Sequence, residues 1–375
     1  MLSIWEKESF FAPKDVIIIG SGFVGLWTAY YIKKRFPKKT VTILEKGMIP
    51  TGASTRNAGF ACFGSLTELM DDAAQAGIDK TLELVEMRFK GLERIQQVFK
   101  SSVIDFKLTG GYDLVDATMN LGREELEEQA HAMNIVLKAQ LGLKTVYQLV
   151  DKNIRKFGFG EVVHMVKNRH EGALHSGKLS QALLSLVQGM GVQVLNTISV
   201  DRYQELEGKV VLYSDKGIEF TASQVVACTN AFASLLFPGI DVVPARGQVL
   251  LTSPIDGLRL KGCFHYDHGY YYFRNLGNRV LLGGARNKDF ERERTTEFGI
   301  SSFIQEELER FLSTVILPGQ NYQVTDRWSG IMAMGSEKMP ILKKFSDNII
   351  VAVRMSGMGV ALAPVIGDTV ASLID

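Results

Sequence analysis

The stretch from Val16 to Asn57 constrains this chain more than any other. Four β-branched apolar residues, Val16 to Ile19, run into Gly20-Ser21-Gly22-Phe23-Val24-Gly25, and a helical pattern follows through Leu26, Ala29, Tyr30, Ile32 and Lys33. After a basic turn containing Pro37, a second apolar run, Val41 to Leu44, ends in Glu45, twenty residues past Gly25. Strand, glycine turn, helix, strand and spaced acid are the context in which G-x-G-x-x-G binds a dinucleotide.

Each residue type has a separate task. Gly20 lets the chain leave the strand, Gly22 admits a pyrophosphate close to the backbone, and Gly25 lets the helix approach the strand. The free N–H groups at the helix start, around Phe23 and Val24, face the anion. Glu45, with Lys46 beside it, is placed to accept hydrogen bonds from ribose hydroxyls, and its charge disfavours a 2′-phosphate.

The next segment, Gly52-Ala53-Ser54-Thr55-Arg56-Asn57-Ala58-Gly59-Phe60, is rich in small and polar residues and can wrap a pyrophosphate and a flavin edge. With the acid-ended strand before it, this loop resembles that of the D-amino-acid oxidase family of FAD-dependent oxidoreductases. The resemblance implies FAD rather than NAD, which would leave the later motifs without a task. It extends to Val200, to Thr229 near the end of the strand Gln224–Ala231, to Gly330, and to the turn Gly357-Met358-Gly359-Val360 before a C-terminal helix. In the family that turn lies against the flavin pyrimidine. The glycines there aim a second helix amino terminus at negative charge.

The implied fold is α/β. A discontinuous Rossmann-like FAD-binding domain comprises 1–97, 173–234 and 321–375, and an inserted substrate domain of antiparallel β-sheet plus helices comprises 98–172 and 235–320. Within these, 66–99 reads as helical, 104–116 as a hairpin around Gly110-Gly111, and 123–141 as an amphipathic helix.

Substrate-facing candidates are Phe60, Tyr270, Tyr272, Arg274, Met332 and Arg354. Alternation along Tyr270-Tyr271-Tyr272-Phe273-Arg274 sends Tyr270, Tyr272 and Arg274 to one face, which the resemblance places over the flavin. Many amino-acid-oxidising members carry a carboxylate-binding arginine just after W-x-G, where this chain has Ile331, Met332 and Ala333. In this respect the chain looks most like the branch containing γ-glutamylputrescine oxidase. No residue is nominated as a general base. His131, His164, His170 and His175 lie on no metal-ligand spacing.

The expected reaction is oxidation of a C–N bond of an amine or amino acid to an imine, by hydride transfer to flavin N5, with oxygen or another acceptor taking the electrons. The alternatives are oxidation of a 2-hydroxy acid and a flavin-carrying subunit of a larger complex. Segments 327–375 and 47–64 contain no histidine and one cysteine, Cys62, so FAD is expected to be held non-covalently.

Bulk properties set the remaining bounds. Forty-two basic residues against 41 acidic ones give no global field for nucleic acid or an anionic membrane. Three separated cysteines form no disulfide framework or zinc motif. No apolar run has transmembrane length and Met1–Lys14 lacks a secretory pattern, so the cytoplasm is the expected location. An oligomer stays open.

Overall fold

The computed structural model describes residues 2–375 and contains two eight-stranded sheets. In the first, Lys14–Ile19 is central, parallel to Val41–Leu44 on one side and to Glu219–Ala227 on the other. Gln193–Leu195 and Ile349–Val353 extend it in parallel, and Ile341–Lys344 closes one edge antiparallel. Residues 16–18 are buried on both faces, which explains the unbroken apolar run. Val16 and Ile18 pack with the helices, whereas Ile17 and Ile19 pack with the layer formed by the hairpin strands Lys209–Ser214 and Glu219–Ala227.

The helix Phe23–Arg35 is flanked by the C-terminal helix Gly359–Ser372, which also packs on Ile78–Val98. Both contacts are backbone-close. A Cβ on Gly367 would stand 2.7 Å from Thr28 N, and one on Gly91 would stand 1.7 Å from the Ala361 carbonyl oxygen.

The second sheet runs in the order Val324–Met334, Val243–Thr252, Arg279–Gly284, Tyr271–Leu276, Cys263–Tyr266, Gly111–Asp116, Val162–Asn168 and Tyr147–Leu149. Its pairs are antiparallel except that between Cys263–Tyr266 and Gly111–Asp116. One face is covered by the helix Ser302–Phe311, where Phe264, Tyr271, Phe273 and Phe311 form an aromatic core. The other face looks toward the first sheet.

Three sequence expectations are corrected. The helical run 66–99 is two helices, Leu66–Ala76 and Ile78–Val98, separated at Gly77, whose φ of +88° breaks the helix. Residues 104–116 form no hairpin: Gly111–Asp116 finds its antiparallel partner in Val162–Asn168, far along the chain. Val324–Met334, grouped on sequence with the nucleotide-binding segments, pairs along its length with Val243–Thr252 and is the edge of the second sheet.

Candidate active site

The glycine turn is fixed by contacts that only glycine permits. Gly20 has φ +103°, and a Cβ there would lie 2.9 Å from the Cys228 carbonyl oxygen; a Cβ on Gly25 would lie 2.0 Å from that of Gly20. Glu45 braces the turn from the neighbouring strand. Its Oε2 accepts from Ser21 N at 2.9 Å and Ser21 Oγ at 2.7 Å, and its Oε1 accepts from Gly47 N at 2.8 Å. Two carboxylate oxygens have about four acceptor sites, so capacity remains for a ligand hydroxyl. Phe23 N donates to Ser54 Oγ at 2.9 Å, tying the helix start to the following loop. The other first-turn N–H groups have no partner within the helix.

In the loop, the polar side chains mainly hold the loop itself. Arg56 donates to the carbonyls of Thr51 at 2.9 Å and Ser329 at 3.0 Å, and its guanidinium lies over the Phe298 ring. Asn57 Nδ2 donates to the carbonyls of Ala53 and Ser54, and its Oδ1 accepts from Gly59 N and Ser176 Oγ. Thr55 Oγ1 donates to the Pro50 carbonyl. Gly59, φ +73°, passes so close to Leu174 that a Cβ would stand 2.4 Å from its carbonyl oxygen.

A cavity of about 1030 Å³ opens from the glycine turn and continues between the two sheets. Its wall contains every sequence-nominated residue except Gly25, Thr55, Gly59, Arg274 and Arg354. Val200 and Thr229 line it near the first sheet, and Gly330 and the 357–360 turn line it opposite the loop. Thr229 Oγ1, Asn230 Oδ1 and Ser356 Oγ are buried polar atoms in this wall that have no hydrogen-bond partner among the described residues. Such orphans, beside a glycine cradle and a helix amino terminus, fit a long ligand carrying phosphates and polar ring edges.

The far end of the cavity is aromatic. Tyr272 and Phe60 meet edge-on with centroids 5.9 Å apart, and Tyr270 stands half-exposed at the rim. Gly283 gives the Tyr272 ring its space, since a Cβ would lie 2.5 Å from it, and Gly247 separates Tyr272 from Met332. Burial raises the Tyr272 hydroxyl to about 12, so it stays a neutral donor. Alternation thus placed Tyr270 and Tyr272 on the cavity face, with Tyr271 and Phe273 in the core.

Two nominated arginines do not face the cavity. Arg274 shares the face of Tyr272 but lies one pleat further along, where its Nη1 donates to the carbonyls of Gly59 at 2.7 Å and Leu174 at 2.9 Å. Arg354 is buried at φ +63°, bound to Asp241 and to the Met339 carbonyl, and 3.2 Å from Glu337. Both are structural staples.

One cation that lines the substrate end was missed on sequence. Arg286 follows Ala285, whose φ of +58° turns the chain sharply out of the strand Arg279–Gly284. Its guanidinium is half-buried over Phe290, and burial lowers its pKa. The nearby acid, Glu293, is already held by Arg246 at 2.8 and 2.9 Å. Arg286 therefore presents donors to the cavity without a carboxylate of its own among the described residues. His265, also unnominated, lines the same end.

A family model described as "FAD dependent oxidoreductase" (DAO) matches residues 15–373, and the chain belongs to this family. It is a flavoenzyme, and FAD is its cofactor. Over 96% of its length the chain is 24% identical to a probable oxidoreductase, OrdL, of Haemophilus influenzae, covering 82% of that protein. It is 25% identical to a glycine oxidase of Bacillus licheniformis, again over 96% of this chain, and covers 92% of that one. In fold it resembles L-proline dehydrogenase from P. horikoshii, with TM-score 0.78 and 21% identity over 96% of this chain and 93% of that one. Among the described residues, no helix is long and apolar enough to cross a membrane.

Proposed function

We propose that this flavoenzyme oxidises the C–N bond of a small amine that carries a carboxylate, giving an imine that water hydrolyses. The unpaired Arg286 guanidinium beside Tyr272 carries this reading. A planar fork of donors in a half-buried, aromatic-walled site matches a carboxylate, and desolvation strengthens the pairing. Arg286 thus stands in for the arginine replaced at Ile331, Met332 and Ala333. Relatives whose names include glycine oxidase and monomeric sarcosine oxidase support amino-acid-like substrates.

In this reading the helix start at Gly22, Phe23 and Val24 holds the FAD pyrophosphate and Glu45 a ribose. Val200 and Thr229 meet the adenosine side, while the 357–360 turn and Gly330 flank the flavin. FAD supplies a two-electron acceptor for hydride from the substrate carbon. The chain supplies orientation through Arg286 and Tyr272, and water exclusion through Phe60, Tyr270 and Met332. FAD is held without a covalent bond. Burial raises the Cys62 thiol well above its ordinary range, so this wall cysteine lacks a reactive thiolate.

Arg286 would equally receive a 2-hydroxy acid, the competing reading. Anaerobic mixing of the FAD-loaded protein with amino acids, secondary amines, polyamines and 2-hydroxy acids separates the two by loss of oxidised flavin absorbance. Bleaching by carboxylate-bearing amines is expected. Bleaching by hydroxy acids alone overturns the C–N reading, and bleaching by polyamines alone returns the chain to the γ-glutamylputrescine-type expectation.

A further inference from the structure

Behind the aromatic wall lies a constellation that neither the FAD cradle nor Arg286 uses. Asp113, His265, Tyr272 and Gly283 are in register on four adjacent strands, so one row crosses the sheet on the cavity face. His265 borders the cavity and packs edge-on against Phe60, centroids 5.2 Å apart. Its Nε2 is sealed from solvent without a hydrogen-bond partner among the described residues. Glu171 Oε2, also sealed and unpartnered, lies 4.0 Å away. Glu171 is firmly placed, because its Oε1 accepts from Phe63 N at 2.9 Å and Gly64 N at 3.0 Å. Gly111 makes the room, since a Cβ there would stand 1.9 Å from Glu171 Oε2. Buried polar atoms are rarely left unpaired, so two facing orphans held by the surrounding fold point to use rather than accident.

The groups facing this pair are Asp113 and Cys263 on the sheet, Cys62 beside it, Glu68 and Arg88 on two helices, and Tyr147 on the outer strand. Arg88 and Lys338 both lie 3.4 Å from Glu68. Among the described residues, neither Asp113 nor Glu171 has a lysine or arginine at ion-pair distance. The surroundings therefore favour an added proton over an added negative charge.

Resting on the C–N reading above, we propose that His265 and Glu171 relay the substrate's ammonium proton out of the cavity. One ammonium N–H bond breaks and its proton goes to His265 Nδ1. As the His265 ring closes the 4.0 Å gap to hydrogen-bond distance, the proton at Nε2 passes to the Glu171 carboxylate, and the imidazole ends neutral in its other tautomer. No electron moves with the proton, and the nitrogen lone pair it leaves behind assists departure of hydride from the adjacent carbon. Burial lowers the His265 pKa, which keeps the ring a carrier rather than a resting cation, and raises that of Glu171 to about 8. The relay is thus loaded below about pH 8 and able to accept above it.

The test uses the FAD-loaded protein and its Glu171→Gln and His265→Gln variants, mixed anaerobically with glycine, sarcosine, proline and iminodiacetate from about pH 6 to about pH 10. The parent should bleach about tenfold faster per pH unit up to a midpoint near 8 that is the same for every amine. Both variants should bleach about 100-fold more slowly, without that midpoint. A midpoint that follows each amine's own pKa, or a Glu171→Gln profile equal to the parent's, overturns the relay. Infrared spectra without substrate give an independent readout: a protonated-carboxyl band below about pH 8, missing from Glu171→Gln. If no compound bleaches the flavin, the C–N reading fails and the relay loses its proton donor, and this band then decides Glu171 as a proton acceptor on its own. Its presence supports the acceptor, and its absence overturns it.

Discussion

Three arginines show what a residue's surroundings make of the same side chain. Arg274 donates to the carbonyls of Gly59 and Leu174, Arg354 is bound to Asp241, and Arg286 alone of the three borders the cavity. Arg286→Gln should weaken binding of a carboxylate probe such as benzoate about 10- to 100-fold, read from perturbation of the oxidised flavin spectrum, with FAD content unchanged. Arg274→Ala should instead lower unfolding stability by about 2–4 kcal/mol in urea and leave substrate preference alone, because it removes donors from buried carbonyls. The strand alternation was legible in the sequence and placed Tyr270 and Tyr272. It gives a face but no distance along the strand, and so it misplaced Arg274. Arg286 carried no signal except its position just past a strand ending in Gly283-Gly284. Glu171 and His265 carried none, since their pairing joins distant segments. Burial holds Glu171 protonated up to about pH 8, whereas in the unfolded chain it ionises near 4.5, so this residue subtracts stability as pH rises through that window. Glu171→Gln keeps the shape without the ionisation. Its unfolding midpoint should fall less than the parent's from about pH 5 to about pH 8, by an amount on the order of a few kcal/mol in stability.

At the scale of elements, the fold was read best where one element's own residues determine it. The strand, glycine turn and helix from Lys14 to Arg35 are local, and local pattern sufficed. The hairpin expected over 104–116 failed because strand pairing there is chosen by segments up to 152 residues away, as in the pairing of Tyr112 with Phe264. The C-terminal helix is likewise positioned by contacts no local pattern reveals. It crosses Ile78–Val98 at Gly91, with no room for a methyl group, and its amino terminus carries the 357–360 turn into the cavity wall. Gly91→Ala should therefore push the helix by a fraction of its diameter, destabilise the fold by about 1–3 kcal/mol and weaken FAD binding together. Urea unfolding of the apoprotein and fluorescence titration with FAD measure the two separately. Lost stability with unchanged FAD affinity would show that the helix amino terminus is decoupled from the cofactor.

At the scale of the whole molecule, the second sheet keeps an aromatic core of its own on one face, while Val115, Val166, Ile331 and Ala333 of its strands pack into the clusters that flank the first sheet. The core beneath the second sheet, around Phe264, Phe273 and Phe311, shares no residue with the clusters that flank the first. What joins them at the site is a wall built from both: the glycine turn, Glu45 and Thr229 on one side, Tyr272, Met332 and Arg286 on the other. A ligand filling that wall binds the folded arrangement and not the unfolded chain. Its contribution grows as the logarithm of its concentration over Kd, about 2.7 kcal/mol at a hundred times Kd. Removal of FAD should therefore lower the unfolding midpoint, and re-addition should restore it in proportion to the logarithm of free FAD. Because the aromatic core under the second sheet is distinct from the clusters that flank the first, the apoprotein should also lose the single cooperative transition of the loaded form, with near-ultraviolet dichroism of that aromatic core and far-ultraviolet dichroism melting at different temperatures. Coincident melts in the apoprotein would mean that direct packing between the sheets, and not the cofactor, couples the two halves.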